Sequence, residues 1–415
     1  MNNLYEIKIN ALWGFVKKQD TLFWLINLYL FFEYIRPQTL YKTFDIIPYA
    51  QIILILSLIL SVMQGQLGRV KNPLNKLIVI YLLVIFASSF FALSPENSFE
   101  NLPGFISWVI IYFLIVNIIN TEHRFLIFIF AFMLYSFKMS QFSFRNWLGS
   151  GFSYINIGSG GGPGWFHNSG EFGIQMVIFF SLSVCFFWSL KEFWPRWKQC
   201  CFFLFPLTAL TGTVSSSSRG AVIGVLGVSL FWLFKSKYKI RGVLLIGIIG
   251  AVVYSFIPDQ QLARFEAMGE DNTSISRFVL WERGLELINQ YPFLGVGYEN
   301  WRIAQKRIFG IENSQVCHNI FIQCASELGY IGLLVLILLM AFTFVNNYRV
   351  REIVRQSKKD NKFLFFMAHG LDGALVGYVI SGFFVTVLYY PYFWINLAMT
   401  TSLHEAAIRW SKENN

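Results

Sequence analysis

Charge is scarce in this sequence. Of its 415 residues, 13% are charged and 55% are hydrophobic, whereas about a quarter of a typical soluble domain is charged. The 45 phenylalanines suit a surface that faces lipid better than a compact aqueous core. Apolar runs near the ~20 residues needed to cross a bilayer recur along the whole chain. The composition therefore predicts an all-α polytopic membrane protein.

Cysteine and histidine are also few, with five of each. The cysteines show no metal-binding spacing, and Cys185, Cys200 and Cys201 are typical of small apolar fillers. Cys317 and Cys324 would be separated by about 10 Å of rise on one helix, which is too far for a disulfide. The external loops contain no Asp-x-Asp pair. We therefore expect neither a metal site nor a disulfide framework.

The net charge of +10 raises the question of nucleic-acid binding, but the basic residues are dispersed. Most lysines and arginines fall in short loops between apolar runs, where they act as orientation signals. If the N-terminus is cytoplasmic, one set of alternate loops holds most of the 33 positive charges. Both termini then lie in the cytoplasm and the longest loop lies outside. We expect no nucleic-acid partner.

The apolar runs predict about twelve transmembrane helices in three regions. Residues 1–257 hold spans one to nine and a glycine-rich external loop at about 140–170. Residues 258–317 form a large external loop, and residues 318–415 hold the last three spans. The predicted spans lie near 22–35, 46–63, 74–93, 103–119, 124–138, 170–190, 199–214, 219–234, 240–257, 318–346, 363–387 and 391–408.

The 258–317 loop, between spans nine and ten, is the one long polar segment. It carries six Lys or Arg and eight Asp or Glu, so any anion site in it needs individually placed arginines. An amphipathic helix is predicted to end at Pro292, with an apolar face that suits the bilayer surface or the spans. That face consists of Phe278, Trp281, Leu285 and Ile288. Arg277 and Arg283 remain as candidate anion-binding residues.

Arg219 is a further candidate, because it follows four serines at the mouth of the eighth span. An arginine at bilayer depth is costly unless it meets an anion or a water-filled cavity. Its fork of donors suits a pair of phosphate oxygens. The alternative is an interfacial arginine that reaches toward lipid headgroups; the preceding serines favour a polar pocket wall instead.

Histidine and buried acid supply the candidate catalytic groups. An imidazole titrates near neutrality, so His318 could take a proton from an attacking hydroxyl; a structural, hydrogen-bonded histidine is the alternative. His167, in the glycine-rich loop, is a second candidate of the same kind. His369 and Asp372 lie three residues apart on one helical face. An intramembrane Asp marks a functional site by default, but it could equally pair with an arginine to hold the bundle together.

Five motifs occur in an order that resembles a known family. They are Ser-Arg-Gly at 218–220, Arg-x-x-x-Trp at 277–281, Pro-Phe-Leu-Gly-Val-Gly at 292–297, His-Asn at 318–319 and Glu-Leu-Gly-Tyr-Ile-Gly at 327–332. Together with a large external loop between spans nine and ten, they resemble the O-antigen ligase and polymerase family of bacterial envelope glycosyltransferases. The resemblance covers roughly residues 200–345.

The resemblance implies a transferase in the bacterial inner membrane that moves a glycan from undecaprenyl diphosphate to an acceptor hydroxyl on the periplasmic face. Arg219 and Arg277 would bind the donor diphosphate, with Arg283 and His167 as further substrate-binding candidates. His318 would activate the acceptor, and Asp372 would support it. The family implies no metal and no cofactor. The partners are the lipid-linked donor, a lipid or glycan acceptor and membrane lipids.

The acceptor stays open at this stage. A ligase would use a lipid A core sugar, a polymerase another lipid-linked repeat, and a protein glycosylation ligase Ser or Thr; the chain's lack of a large soluble C-terminal domain mildly disfavours the last. A transporter or flippase is the rival from another class, but the two halves show no convincing repeat of the kind common in transporters. A structural subunit of a polysaccharide export complex is a third reading.

Overall fold

The computed structural model of the protein describes residues 4–41, 43, 45–152, 158, 160, 161, 166, 168–256, 272–313 and 315–414. Across these residues the regular structure is helical and no strand occurs. The helices are α1 (Ile9–Val16), α2 (Thr21–Tyr34), α3 (Pro37–Leu40), α4 (Tyr49–Met63), α5 (Pro73–Phe90), α6 (Pro95–Ile118), α7 (Glu122–Gly149), α8 (Ser169–Leu190), α9 (Arg196–Ser215), α10 (Arg219–Lys235), α11 (Lys239–Phe256), α12 (Asn272–Gln290), α13 (Trp301–Phe309), α14 (Ile320–Gln356), α15 (Lys362–Gly382) and α16 (Pro391–Asn414).

Each of the twelve predicted spans coincides with one of these helices. Six of them, namely α5, α6, α7, α8, α14 and α15, are long and apolar enough to cross a membrane, and α4 is a shorter apolar helix. An all-helical, multi-pass membrane protein is thereby confirmed. Twelve crossings remain a prediction, because the described residues contain six helices with the length and hydropathy of a membrane span.

The predicted eleventh span, 363–387, is too long. Helix α15 ends at Gly382, and residues 383–390 form a non-helical segment before Pro391 begins α16. We call residues 383–390 the connector. Its composition is apolar, so hydropathy cannot distinguish it from helix; the β-branched run Val385-Thr386-Val387 lowers helix propensity. This boundary matters because the candidate site is assembled around the connector.

The helix ends form two groups. At one end, which we call the basic end, polar contacts join both terminal regions to loops rich in Lys and Arg. They include Trp194 Nε1–H to Tyr5 O (2.8 Å), Lys198 Nζ to Glu6 O (2.7 Å), Arg124 to Asp20 (2.7 Å), Lys362 to Glu192 (2.7 Å) and Lys359 to Asn414 (3.0 Å). The loops that the charge pattern assigns to one side of the membrane therefore meet in the fold.

Small residues let the central helices approach closely. Helix α8 is buried along most of its length, and α15 crosses it where Ser181 Oγ donates to the Gly370 carbonyl at 2.7 Å. A Cβ at Gly377 of α15 would overlap Val177 of α8, and one at Gly224 of α10 would overlap Ser381. Glycine at such positions is typical of helix packing inside membranes. These contacts bind α8, α10 and α15 into one unit.

Helix α14 is broken at Gly329, where φ is 68°. The Pro-Phe-Leu-Gly-Val-Gly turn occupies this break and satisfies backbone groups that the kink leaves unpaired. The bonds are Val296 N–H to Ser326 O (2.8 Å), Gly297 N–H to Glu327 O (3.0 Å) and Tyr330 N–H to Pro292 O (2.7 Å). A side chain at Gly295 would overlap the Glu327 carbonyl. The motif thus fastens the polar loop to α14.

Candidate functional site

Three helix N-termini meet at the connector. Gly170, in the first turn of α8, packs against Val385, because a Cβ there would lie 3.4 Å from Val385 Cγ2. Gly220 of α10 would place a Cβ 3.0 Å from Phe384 Cβ. The backbone N–H of His318, just before α14, donates to Thr386 Oγ1 at 2.7 Å. Helix N-termini carry partial positive charge and favour anions, so this end of the bundle suits an anionic ligand.

His318 has an unusual backbone conformation. Its φ of 54° lies in the left-handed region, which is sparsely populated by residues other than glycine. The following Asn319 caps α14 by accepting hydrogen bonds from Phe321 N–H (2.9 Å) and Ile322 N–H (3.1 Å). Such strain persists where surrounding contacts over-determine it. The Thr386 bond and the cap hold the imidazole at the start of α14.

The imidazole of His318 is in a state that can accept a proton. Its Nδ1 is buried and makes no hydrogen bond within the described part of the chain. Burial, followed by the positive charge of Arg277, lowers the pKa of His318 to about 4. The ring is therefore neutral at pH 7, as a general base must be.

Arg277 is the first arginine that the fold brings to this histidine. Helix α12 packs on α14 where Gly284 meets Ile322. Arg277 precedes Gly284 by seven residues, almost two full helical turns, so both lie on nearly the same face of α12. That face points to the start of α14, which explains why the Arg277 guanidinium lowers the pKa of His318.

Arg219 lies beside the same connector. It is the first residue of α10, after Ser218, whose hydroxyl accepts the Ala221 N–H at 3.4 Å. Its neighbour Gly220 packs on Phe384, two residues from the Thr386 that holds His318. The serine run that precedes Arg219 packs against α8. A Cβ at Gly173 of α8 would lie 2.8 Å from Ser216 Oγ. Arg219 and His318 therefore belong to one end of the bundle.

Arg283 is not brought to His318. Six residues separate it from Arg277 on α12, which places it about 240° around the helix. It donates to Gln305 Oε1 at 3.3 Å and its guanidinium lies 5.8 Å from the centre of the Phe309 ring. Both partners belong to α13. The prediction that Arg283 binds substrate is not supported by this position; it ties the two loop helices together.

Asp372 lies away from the connector. Ten residues, about 15 Å of helix, separate it from Gly382 at the end of α15. Its carboxylate accepts from Arg351 at 2.7 Å and Asn347 at 2.9 Å, and Lys235 Nζ is 3.6 Å away. The structure therefore does not place Asp372 with His318. The alternative, a carboxylate paired with arginine inside the bundle, describes it correctly.

His167 lies outside the described residues. Gly158, Gly160 and Gly161 of its loop are described, and Gly158 and Gly161 approach the site's helices closely. A Cβ at Gly158 would overlap the Ser216 carbonyl, and one at Gly161 would overlap the Phe172 ring. Gly158 and Gly161 thus serve close packing against α8 and the end of α9.

The sequence-based prediction missed Glu171 and Tyr390. Glu171 is buried in the first turn of α8, where its Oε1 accepts from Asn168 Nδ2 (2.7 Å) and Tyr390 O–H (3.0 Å). The Asn-x-x-Glu spacing at 168–171 resembles a capping box, which could have located Glu171. Tyr390 was hidden because it lies between apolar runs.

The described residues contain no group of three or more His, Cys, Asp or Glu suited to a metal ion.

Part of the chain is similar to known proteins. Residues 201–337 match the family described as O-antigen ligase. The chain is 26% identical over 109 residues to "Exopolysaccharide production protein ExoQ" of Rhizobium meliloti, over 24% of this chain and 25% of that protein. It is 26% identical over 170 residues to "ComP-specific O-oligosaccharyltransferase" of Acinetobacter baylyi, over 37% of this chain and 29% of that protein.

Each match spans less than a third of the curated relative's length. The matched family segment contains Arg219, Arg277 and His318, the three residues that lie around the connector end of the bundle. The match to the O-antigen ligase family thus covers residues 201–337.

Proposed function

We propose that the protein is a membrane glycosyltransferase that moves a glycan from undecaprenyl diphosphate to an acceptor hydroxyl. The observation that carries the proposal is the position of His318: a neutral, largely buried imidazole beside Arg277, inside the segment that matches the O-antigen ligase family. A base next to a guanidinium fits a reaction in which a hydroxyl loses its proton while an anionic group departs.

The steps follow from these groups. The acceptor oxygen attacks the anomeric carbon of the donor glycan, and His318 takes the proton of that hydroxyl. The bond between the anomeric carbon and the phosphate oxygen breaks, and undecaprenyl diphosphate leaves with the electron pair. Arg277 and Arg219 stabilise the charge on the departing diphosphate, since guanidinium groups bind phosphate oxygens through paired hydrogen bonds. No metal or cofactor is required in this scheme.

The acceptor that we favour is a sugar of the lipid A core, as in an O-antigen ligase. The names of the two relatives refer to exopolysaccharide production and to oligosaccharide transfer specific for ComP. Two alternative reactions are therefore tested as well. One joins lipid-linked repeats, and the other transfers the glycan to Ser or Thr of a protein. A flippase, the rival class, would move the donor without breaking its glycosidic bond.

We place the protein in the bacterial inner membrane, with both termini in the cytoplasm and the candidate site on the periplasmic side. The support is the concentration of Lys and Arg at the basic end, because positively charged loops are retained in the cytoplasm. The connector end, where His318 lies, then faces the periplasm.

The test is transfer by the purified protein in lipid nanodiscs. The donor is a fluorescent oligosaccharide on undecaprenyl diphosphate; the acceptors are lipid A with its core, unlabelled lipid-linked repeat, and a Ser/Thr peptide. We expect one acceptor to be labelled and undecaprenyl diphosphate to be released. His318→Ala should lower the rate about 10²–10⁴-fold through loss of the base.

Two arginines on the same helix supply a matched pair of variants. Arg277→Gln should lower the rate about 10²–10³-fold, the usual effect of removing one charge-stabilising donor. Arg283→Gln should stay within about fivefold of the unsubstituted protein, because the contacts of Arg283 are with α13. An intact donor bond with every acceptor, or equal loss in both arginine variants, would refute the proposal.

A further inference from the structure

Tyr390 and Glu171 form a hydrogen-bonded pair at the connector end of the bundle that the mechanism above does not use. The Tyr390 hydroxyl donates to Glu171 Oε1 at 3.0 Å, and Asn168 Nδ2 donates to the same carboxylate oxygen at 2.7 Å. Glu171 is buried, whereas Tyr390 is partly exposed at the end of the connector. A buried carboxylate is costly unless it is hydrogen-bonded, so the pair is a stable, oriented unit.

The connector joins this pair to His318. Gly170, adjacent to Glu171, packs against Val385, and the next connector residue, Thr386, accepts the backbone N–H of His318. Tyr390 follows four residues later on the same segment. The pair and the base are therefore held by one short stretch of backbone, at the end of the bundle where three helices begin.

We propose that Tyr390, oriented by Glu171, binds a second hydroxyl group of the acceptor sugar and thereby aims its reacting hydroxyl at His318. This inference rests on the proposed function. Because the Tyr390 hydroxyl donates its hydrogen bond to Glu171, its oxygen can accept a hydrogen bond from a sugar hydroxyl, and the neighbouring carboxylate strengthens that bond. A sugar has several hydroxyl groups, and holding one of them fixes the direction of another. Tyr390 is a specificity-determining residue, and Glu171 is its positioning residue.

The structure contains an internal control. Tyr392 is stacked on Tyr390, with ring centres 5.9 Å apart and an interplanar angle of 9°. Its hydroxyl donates to the backbone carbonyl of the same Glu171 at 3.1 Å. Unlike Tyr390, it is 3% exposed and cannot reach a ligand in this arrangement. Tyr390→Phe and Tyr392→Phe each remove one hydroxyl bonded to Glu171, but only the first removes a group that could touch the acceptor.

The experiment is steady-state transfer to the sugar acceptor that the unsubstituted protein uses in nanodiscs, with donor and acceptor varied separately. Tyr390→Phe should raise the KM for the acceptor about tenfold, as expected for one oriented hydrogen bond, and lower kcat because the reacting hydroxyl is less well aimed at His318. The KM for the donor should change by less than about twofold. Tyr392→Phe should leave all three constants unchanged within about twofold. Glu171→Gln can still accept the hydrogen bond from Tyr390. Its acceptor KM should lie between those of the unsubstituted protein and Tyr390→Phe.

A set of deoxy analogues of that acceptor gives a second readout. With the unsubstituted protein, one analogue should have a KM about tenfold higher than that of the full acceptor. With Tyr390→Phe, the same analogue should show no further rise in KM, because both changes remove the same hydrogen bond. An unchanged acceptor KM in Tyr390→Phe, or equal effects of Tyr390→Phe and Tyr392→Phe, would overturn the inference. If Tyr390→Phe does not fold, the same analogue series with Glu171→Gln decides.

The two proposals fail in different ways. If the unsubstituted protein transfers nothing to any acceptor, the proposed function is wrong. If it transfers only to the Ser/Thr peptide, or to a sugar with no dependence on Tyr390, the transferase proposal stands and the role of Tyr390 is wrong.

Discussion

His318 combines three properties that support the proposed role of a base. It is in a left-handed backbone conformation, its Nδ1 is buried, and its pKa is lowered to about 4 by burial and by Arg277. The lowered pKa keeps the ring unprotonated near neutral pH. Because Arg277 contributes to the lowered pKa, the charge state of His318 should also respond to an anion that binds Arg277.

The pH dependence of transfer should show this coupling. In the free protein the pKa of His318 is about 4, so kcat/KM for the donor should stay level as pH falls from 7 to about 5 and decline near pH 4. The donor diphosphate partly neutralises Arg277, which raises the pKa of His318, so kcat should decline at a higher pH than kcat/KM. Rates between pH 4 and 8 test this; an acid limb of kcat/KM near the ordinary histidine value would contradict it.

At the scale of elements, the 292–297 turn and the break in α14 act as one unit. The turn's N–H groups bond to the carbonyls of Ser326 and Glu327, and Gly295 and Gly329 both adopt positive φ. This unit holds the polar loop, and with it α12 and Arg277, against the start of α14. The geometry of Arg277 and His318 therefore depends on a turn that touches neither of them.

Alanine substitutions at two glycines can separate the stability cost of steric overlap from that of backbone strain. Gly295 (φ 68°) and Gly310 (φ 71°) have the same left-handed geometry, but a Cβ at Gly295 would overlap Glu327 while one at Gly310 would meet no atom within 4 Å. Gly310→Ala should cost about 1 kcal/mol of unfolding free energy. Gly295→Ala should cost at least ~2 kcal/mol more through forced displacement. Thermal unfolding in detergent measures both; equal losses would mean that the turn is not tightly locked.

Asp372 links three helices, because its carboxylate contacts Arg351 of α14 and Lys235 of α10. Asp372→Asn leaves the buried Arg351 uncompensated, which should cost about 3–5 kcal/mol. Asp372→Asn with Arg351→Met should recover part of that stability. Transfer per folded molecule should change little in either variant, as measured after correction for the folded fraction. Loss of transfer at normal thermal stability would instead assign Asp372 to the reaction.

At the scale of the whole molecule, the fold has two chemically different ends. The basic end gathers both terminal regions, and the connector end gathers three helix N-termini with Arg219, Arg277 and His318. A diphosphate would be attracted to the second end, and the positive loops of the first would stay in the cytoplasm.

Cysteine labelling in intact cells tests this orientation. A maleimide that crosses the outer but not the inner membrane should label Gly310→Cys, in the polar loop, and leave Lys359→Cys, at the basic end, unlabelled until the inner membrane is permeabilised. The unsubstituted protein, whose five cysteines are all free thiols, provides the background. The reverse pattern would place the site in the cytoplasm.

The sequence alone was sufficient to predict the membrane class, the approximate positions of the apolar helices and the grouping of the basic loops. Hydropathy and charge are local properties of the chain, so they can be read without the fold. It also singled out Arg219, Arg277 and His318 through short motifs. The partner of Asp372, the local role of Arg283 and the connector's contacts were decided only by the tertiary structure. Each depends on which helices become neighbours, and the same carboxylate or guanidinium can serve a substrate or another helix depending on what packs against it.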